Sequence, residues 1–214
     1  KNNKADKYCR VMVSESHFRD IEDIEASITS LNGELIKELD SDEIKEQEYS
    51  GDAFYSGDNY KYFEMMYHSY PFIFEFHYKI SLKTLLLWPR WYPQEDIPKL
   101  NSEYKLYINP DVKFRYYGKG IEVEPVIKSN DSFKQYTWKM ENIPAALEED
   151  YLPPEHQIQQ AVYFVSEYFK TDSYEGKTTS WDEYSKWYRR LSANRYELSA
   201  EAKGELFNII SGIT

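Results

Sequence analysis

Cys9 is the single cysteine of the chain and so its one candidate sulfur nucleophile. Val11 and Val13 follow it at the two-residue spacing of one strand face, and no histidine stands near it in sequence. That pattern describes a buried structural thiol rather than an activated one. A lone cysteine also excludes an intrachain disulfide and a cysteine-based zinc site. The histidines, His17, His68, His77 and His156, are scattered without metal-ligand spacing and read as surface or hydrogen-bonded side chains. Asp40, Asp42 and Glu43 lack the glycine and distal glutamate of a calcium loop. Glu148, Glu149 and Asp150 form a second acidic run that reads as solvated charge. With no glycine-rich phosphate loop and no Gly-x-Ser-x-Gly elbow, the residues assign no catalytic group, no metal and no cofactor.

The most distinctive chemistry is aromatic. Residues 85–98 (LLLWPRWYPQEDIP) set Trp88, Trp91 and Tyr92 among three prolines, which stiffen the backbone into an extended loop. Rings held this way could stack on a sugar or a peptide. They could equally close the end of a sheet sandwich or dock a neighbouring domain, and packing is the preferred reading.

These residues need a frame, and the pattern of the chain supplies one. Tyr, Phe and Trp make up 17% of the 214 residues, while the mean hydropathy is only −0.76. Such a composition suits half-buried pleated surfaces, where one ring face packs and a tyrosine hydroxyl still reaches water. Residues 72–82 alternate strictly, with Phe72, Phe74, Phe76, Tyr78, Ile80 and Leu82 against Ile73, Glu75, His77, Lys79 and Ser81. This predicts a long strand with Phe74, Phe76 and Tyr78 buried, paired as a hairpin with residues 60–68. Further strands are expected over 7–14, 24–31, 35–39, 102–108, 112–117, 121–128, 133–140 and 160–165. Asn32-Gly33 marks a tight hairpin between the second and third of these. Residues 40–59 are expected to form an acidic loop or short helix at a sheet edge. The fold class is therefore mainly β: an antiparallel β-sandwich of about ten strands, followed by C-terminal α-helices.

The last forty residues change period. Ser180 and Glu183 have capping-box spacing, and Trp181, Tyr184, Trp187, Tyr188 and Leu191 fall on one helical face, able to seal the sandwich. A second helix from Ser199 carries Leu206, Ile209, Ile210 and Ile213 as an apolar stripe that is expected to be covered by protein beyond it. The organisation expected is a β-sandwich accessory domain over 1–179 and a helical segment over 180–214. With 26 Lys and Arg against 37 Asp and Glu, the net charge is −11, which repels phosphate and argues against nucleic-acid partners. No apolar run is long enough to span a membrane. With neither an initiating methionine nor a leader-like apolar run, the chain reads as an excised fragment.

Four stretches carry a resemblance: Tyr8-Cys9-Arg10-Val11-Met12-Val13-Ser14, YFEMMYHSYPFIFEFHYKI (62–80), WPRWYPQEDIP (88–98) and NIPAALEEDYLPPE (142–155). Together they resemble β-rich domains of unknown function that precede a transglutaminase-like (papain-like) domain in exported proteins of Bacteroidota. The resemblance runs over nearly the whole chain, and residues 199–214 resemble the lead-in to that following domain. It implies a non-catalytic accessory domain that positions or presents substrate to its own downstream transglutaminase-like domain, the site of a Cys-His-Asp triad. The parent protein would then be a hydrolase or peptidase, and its location periplasmic or at the cell surface. No catalytic residue carries over, because Cys9 matches the opening strand and not a nucleophile. The alternative is a carbohydrate- or peptide-binding module that uses Trp88, Trp91 and Tyr92 as its platform.

Overall fold

The computed structural model describes residues 3–48, 59–146, 151, 153–193 and 197–211. The chain divides into two compact units, Lys1–Lys83 and Thr84–Thr214, a break that falls inside the span read from sequence as a single sandwich. Both are built from antiparallel strands, and the fold is mainly β with helices at the C-terminal end.

In the first unit, β1 (Arg10–Glu15), β2 (Arg19–Thr29), β3 (Leu35–Glu38), β4 (Lys45–Glu48), β5 (Asn59–Glu64) and β6 (Ile73–Leu82) form two three-stranded sheets, ordered β1-β5-β4 and β3-β2-β6. Ser16 and Arg19 exchange backbone hydrogen bonds of 2.9 and 3.0 Å, and this tight turn carries the chain from the first sheet into the second. The core is one layer of side chains: Val11 and Val13 from β1, Ile21, Ala26 and Ile28 from β2, and Phe63 and Met65 from and beyond β5. Asn32-Gly33 makes the expected hairpin, with Gly33 at φ 84°.

β2 solves a parity problem. Ile21 is odd-numbered whereas Ile24, Ala26 and Ile28 are even, so a regular strand would send the two groups to opposite faces. The register against β6 shifts between Glu22 and Glu25, and Asp23 sits at φ 51°. One extra residue at this bulge restores both groups to the core side, and a short polar side chain tolerates the left-handed backbone.

Two expectations for this unit need correcting. β5 does not form a hairpin with β6: it pairs with β1 and β4, while β6 pairs with β2. A period of two tells which face of a strand is apolar, not which strand lies beside it. Nor is the whole apolar face of β6 buried. Phe74 lies opposite Ile28 and Phe76 opposite Ala26, yet the core takes in Phe72, Phe74 and Ile80 and leaves Phe76 and Tyr78 at 40% and 43% exposure. Residues 40–48 form a short 3-10 turn followed by β4, an exposed edge strand.

The second unit contains β7 (Lys99–Ile108), β8 (Phe114–Lys119), β9 (Val126–Ser129), β10 (Lys134–Ile143), a short helix α1 (Glu155–Ile158), β11 (Ala161–Ser166), β12 (Tyr168–Thr171), β13 (Tyr174–Lys177), α2 (Trp181–Ser192) and α3 (Ala200–Ser211). Its sheets are β7-β10-β9, β11-β8 and the hairpin β12-β13. Trp138 of β10 is fully buried, with Phe164 of β11 5.0 Å away, Tyr116 of β8 at 5.3 Å and Tyr104 of β7 at 6.0 Å between ring centres. β12 and β13 are four residues each, too short for alternation to announce them. They are held by Phe169, whose ring meets Trp187 of α2 edge-on at 5.0 Å. Gly176 makes this possible, because a Cβ there would lie 2.4 Å from the Phe169 ring.

Two substitutions separate buried from exposed rings. Trp138→Ala is expected to cost about 3–5 kcal/mol in urea unfolding. Phe76→Ala, on the open part of the β6 face, is expected to cost less than about 1.5 kcal/mol. Equal losses at the two sites would contradict this placement.

Candidate functional site

The proline-rich segment begins at Thr84, which is buried and accepts a hydrogen bond from the Leu86 N–H at 3.2 Å, opening a 3-10 turn over Leu85–Leu87. The chain then runs extended beside β11, where Trp91 and Val162 exchange backbone hydrogen bonds of 3.0 and 2.9 Å. Trp91 is 5% exposed, and its indole N–H donates to Ser102 Oγ at 3.0 Å. Trp88 is half-buried, tilted against Phe114 at 5.4 Å and Phe164 at 6.2 Å. Tyr92 is half-buried as well, its hydroxyl accepting a 3.3 Å hydrogen bond from Arg90, whose guanidinium lies over the Tyr163 ring. Stacking a sugar or a peptide needs ring faces open to water, and Trp91 offers none. Residues 84–93 act here as the closing edge of the second core.

The open aromatic surface lies elsewhere. Ser180 caps α2, its Oγ accepting from the Glu183 N–H at 3.2 Å, while the Glu183 carboxylate turns outward to Lys186 at 2.9 Å. Trp181, the first residue of the helix, is 85% exposed rather than sealing the sheets, and Trp187 alone of α2 is buried. Trp181 meets Tyr184 edge-on at 6.3 Å, and both line a groove of about 560 Å³ with Arg115, Val165, Thr178, Thr179 and Ser180. Arg115 donates to the Thr178 carbonyl at 2.7 Å, and the Thr178 hydroxyl donates to the Ser166 carbonyl at 2.6 Å, so cation and wall are fixed together. An exposed indole, an apolar wall and an oriented guanidinium can bind a ligand that is partly apolar and partly anionic. Trp181 lies on the aromatic helical stripe visible in the sequence, but helical period alone does not say how much of a stripe the neighbouring sheet can cover.

A second groove of about 600 Å³ runs along α2, lined by Tyr168, Glu175, Gly176, Lys177, Glu183, Lys186, Arg189 and Arg190. Among its cations Lys186 is paired, 2.8 Å from Asp182 and 2.9 Å from Glu183, and these hydrogen bonds hold its ammonium well above the ordinary lysine range. Arg190 donates to the Glu175 carbonyl at 2.6 Å.

Asp40 and Glu43 have a local structural role. Asp40 caps the 3-10 turn by accepting from the Asp42 N–H at 3.2 Å, and Glu43 completes the capping box while pairing with Lys37 at 2.8 Å. His17 packs edge-on against Phe18, His68 is exposed, and His77 stands beside Glu75 at 3.2 Å. The His156 side chain and Glu148, Glu149 and Asp150 lie outside the described residues. Among the described residues no three His, Cys, Asp or Glu side chains gather as metal ligands. Cys9 is 3% exposed at the end of the turn before β1, in line with Val11 and Val13. Burial first, then the charges of Asp6 and Glu64, push its thiol above the ordinary cysteine range. The thiolate fraction is therefore smaller in the native chain than in the unfolded one at any pH near neutrality. Alkylation of Cys9 by iodoacetamide at neutral pH is expected to be about a hundredfold slower in the native chain than in urea, limited by opening. Rapid native labelling, read by mass spectrometry, would contradict a sealed thiol.

No curated protein matches the chain. The fold is similar to that of a solved structure described as a "putative protease" from Parabacteroides distasonis ATCC 8503, with a TM-score of 0.65 and 17% identity. The similarity covers 76% of this chain and 34% of that one, so this chain spans about a third of the length of its structural neighbour. At that identity the likeness is one of fold. Residues 5–146 match the Domain of Unknown Function with solved-structure structure (DUF3857). That match takes in well over half of the sequence, both sheets of the first unit and β7 to β10 of the second, and the chain belongs to the DUF3857 family.

Proposed function

We propose that this chain is a non-catalytic accessory unit that positions or presents substrate to a transglutaminase-like domain following it in the same protein. The observation that carries the reading is the surface of α3. Leu206, Phe207, Ile209 and Ile210 are 49%, 71%, 65% and 59% exposed, and α3 has no buried residue. Ile213, the last member of the expected stripe, lies outside the described residues. A twelve-residue helix is marginal in water without packing, so this face requires a cover. A following domain supplies one, and the similarity to a chain more than twice as long supports that arrangement. α2, anchored through Trp187 and Phe169, would then be the rigid base from which α3 leads onward.

A second reading, a peptide- or glycan-binding module, draws support from the Trp181 groove rather than from Trp88, Trp91 and Tyr92. The two readings meet if the groove holds the substrate being presented.

The coding sequence beyond Thr214 tests the proposal. A further domain with Cys, His and Asp in that order supports it, while a stop codon there, or a domain of another kind, overturns it. Hydrogen exchange gives a physical check on the 214-residue chain itself. Amides around Ile209 and Ile210 are expected to exchange nearly unprotected, while those of β10 around Trp138 exchange only through global opening. Equal protection would place α3 in this domain and remove the support.

A further inference from the structure

β6 lies at the end of its sheet, in the order β3-β2-β6, and among the described residues it pairs with β2 alone. It is ten residues long, with Ile73, Phe76 and Tyr78 at 46%, 40% and 43% exposure. Long open edges with apolar side chains are templates for another strand. The sequence of β6 says which strand, because it is chemically palindromic about His77. Counting outward from His77, the flanking pairs are Phe76 with Tyr78, Glu75 with Lys79, Phe74 with Ile80, Ile73 with Ser81 and Phe72 with Leu82.

We propose that β6 is a self-association edge, pairing antiparallel with β6 of a second copy of this chain about a two-fold axis at His77. In that register Glu75 of each copy stands opposite Lys79 of the other, and Phe76 stands opposite Tyr78, twice over by symmetry. Both charged side chains reach solvent, Glu75 and Lys79 being 64% and 62% exposed, with Glu75 3.2 Å from His77 of its own strand. Lys79 reaches back to Glu22 of β2 at 2.9 Å, so it is already oriented on the polar face. Neighbouring registers are worse. A slip of one residue sets the aromatic face of one copy against the charged face of the other. Moving the axis to Phe76 leaves Lys79 opposite Ile73, and moving it to Tyr78 places Lys79 opposite His77. The opposite charges commit the edge to a second copy, since Glu75 and Lys79 sit at equal distances on either side of the centre. The net charge of −11 on each copy opposes association, so the dimer is a weak one that forms with concentration.

Sedimentation velocity on the full 214-residue chain tests this. The wild type is expected to dimerise reversibly. Glu75→Lys alone and Lys79→Glu alone are each expected to weaken self-association by about tenfold, since each sets like charges opposite at both symmetric positions. An equimolar mixture of the two variants is expected to recover wild-type association, because each new charge then faces its opposite. His77→Arg, which sets two cations together on the axis without touching Lys79, is a second disruptor should Lys79→Glu disturb β2. Circular dichroism confirms that each variant is folded. A wild type that stays monomeric into the millimolar range, variants that dimerise as the wild type does, or a mixture that does not recover, each overturns the proposal.

Discussion

Trp138 is enclosed by aromatic rings contributed from three neighbouring strands, and the second unit is organised around that contact. Its closest partner, Phe164, also stacks on Tyr104 at 4.7 Å, so one phenyl ring ties β11 to both β7 and β10. Edge-to-face packing of large rings buries much apolar area with few residues, which is how a chain of low mean hydropathy still forms a core. The proline-rich segment belongs to the same arrangement: Trp88 leans on Phe164 and Trp91 hydrogen-bonds across to Ser102. In the stretch that carries Trp88, Trp91 and Tyr92, the first two rings pack into this cluster.

Function therefore has to be sought where rings and apolar side chains are left over. Trp181 at the head of α2, Phe207 and its neighbours on α3, and Phe76 with Tyr78 on β6 are such places. They differ in kind. The α2 groove combines an indole with a fixed guanidinium, the α3 stripe is a bare apolar surface, and the β6 edge offers backbone and alternating charge together. In the accessory role proposed above, the α3 stripe faces the following domain and the α2 groove the substrate, while the β6 edge is the one proposed to meet a second copy.

The sequence made the strands legible wherever one face is apolar and the other charged, as in β1, β6 and β10, and it made the Asn32-Gly33 turn legible because positive φ demands such residues. It also identified Cys9 as part of a buried face. Partnership and cover were not legible. β5 joins β1 and β4 because of where the chain crosses between sheets, which alternation within β5 does not encode. Trp91 and Trp181 illustrate the same limit from both sides. Each sits in a conspicuous aromatic run, yet a backbone exchange with Val162 buries the first, and the depth of the sheet beneath α2 leaves the second outside. β12 and β13 were hidden because each is four residues long and, of their buried positions Phe169, Thr171 and Gly176, one alone carries a large apolar side chain.

The bulge at Asp23 bears on how this family can vary. Surface turns accept added or lost residues at little cost, and strand interiors accept many exchanges of one side chain for another. At Asp23, length itself is fixed by the parity of Ile21 against Ile24, Ala26 and Ile28. Losing one codon there would leave every remaining residue unchanged and yet turn half of β2 inside out. Related sequences are then free to drift in composition along this strand, but an alignment gap opened within it must be matched by a compensating one before Ile28.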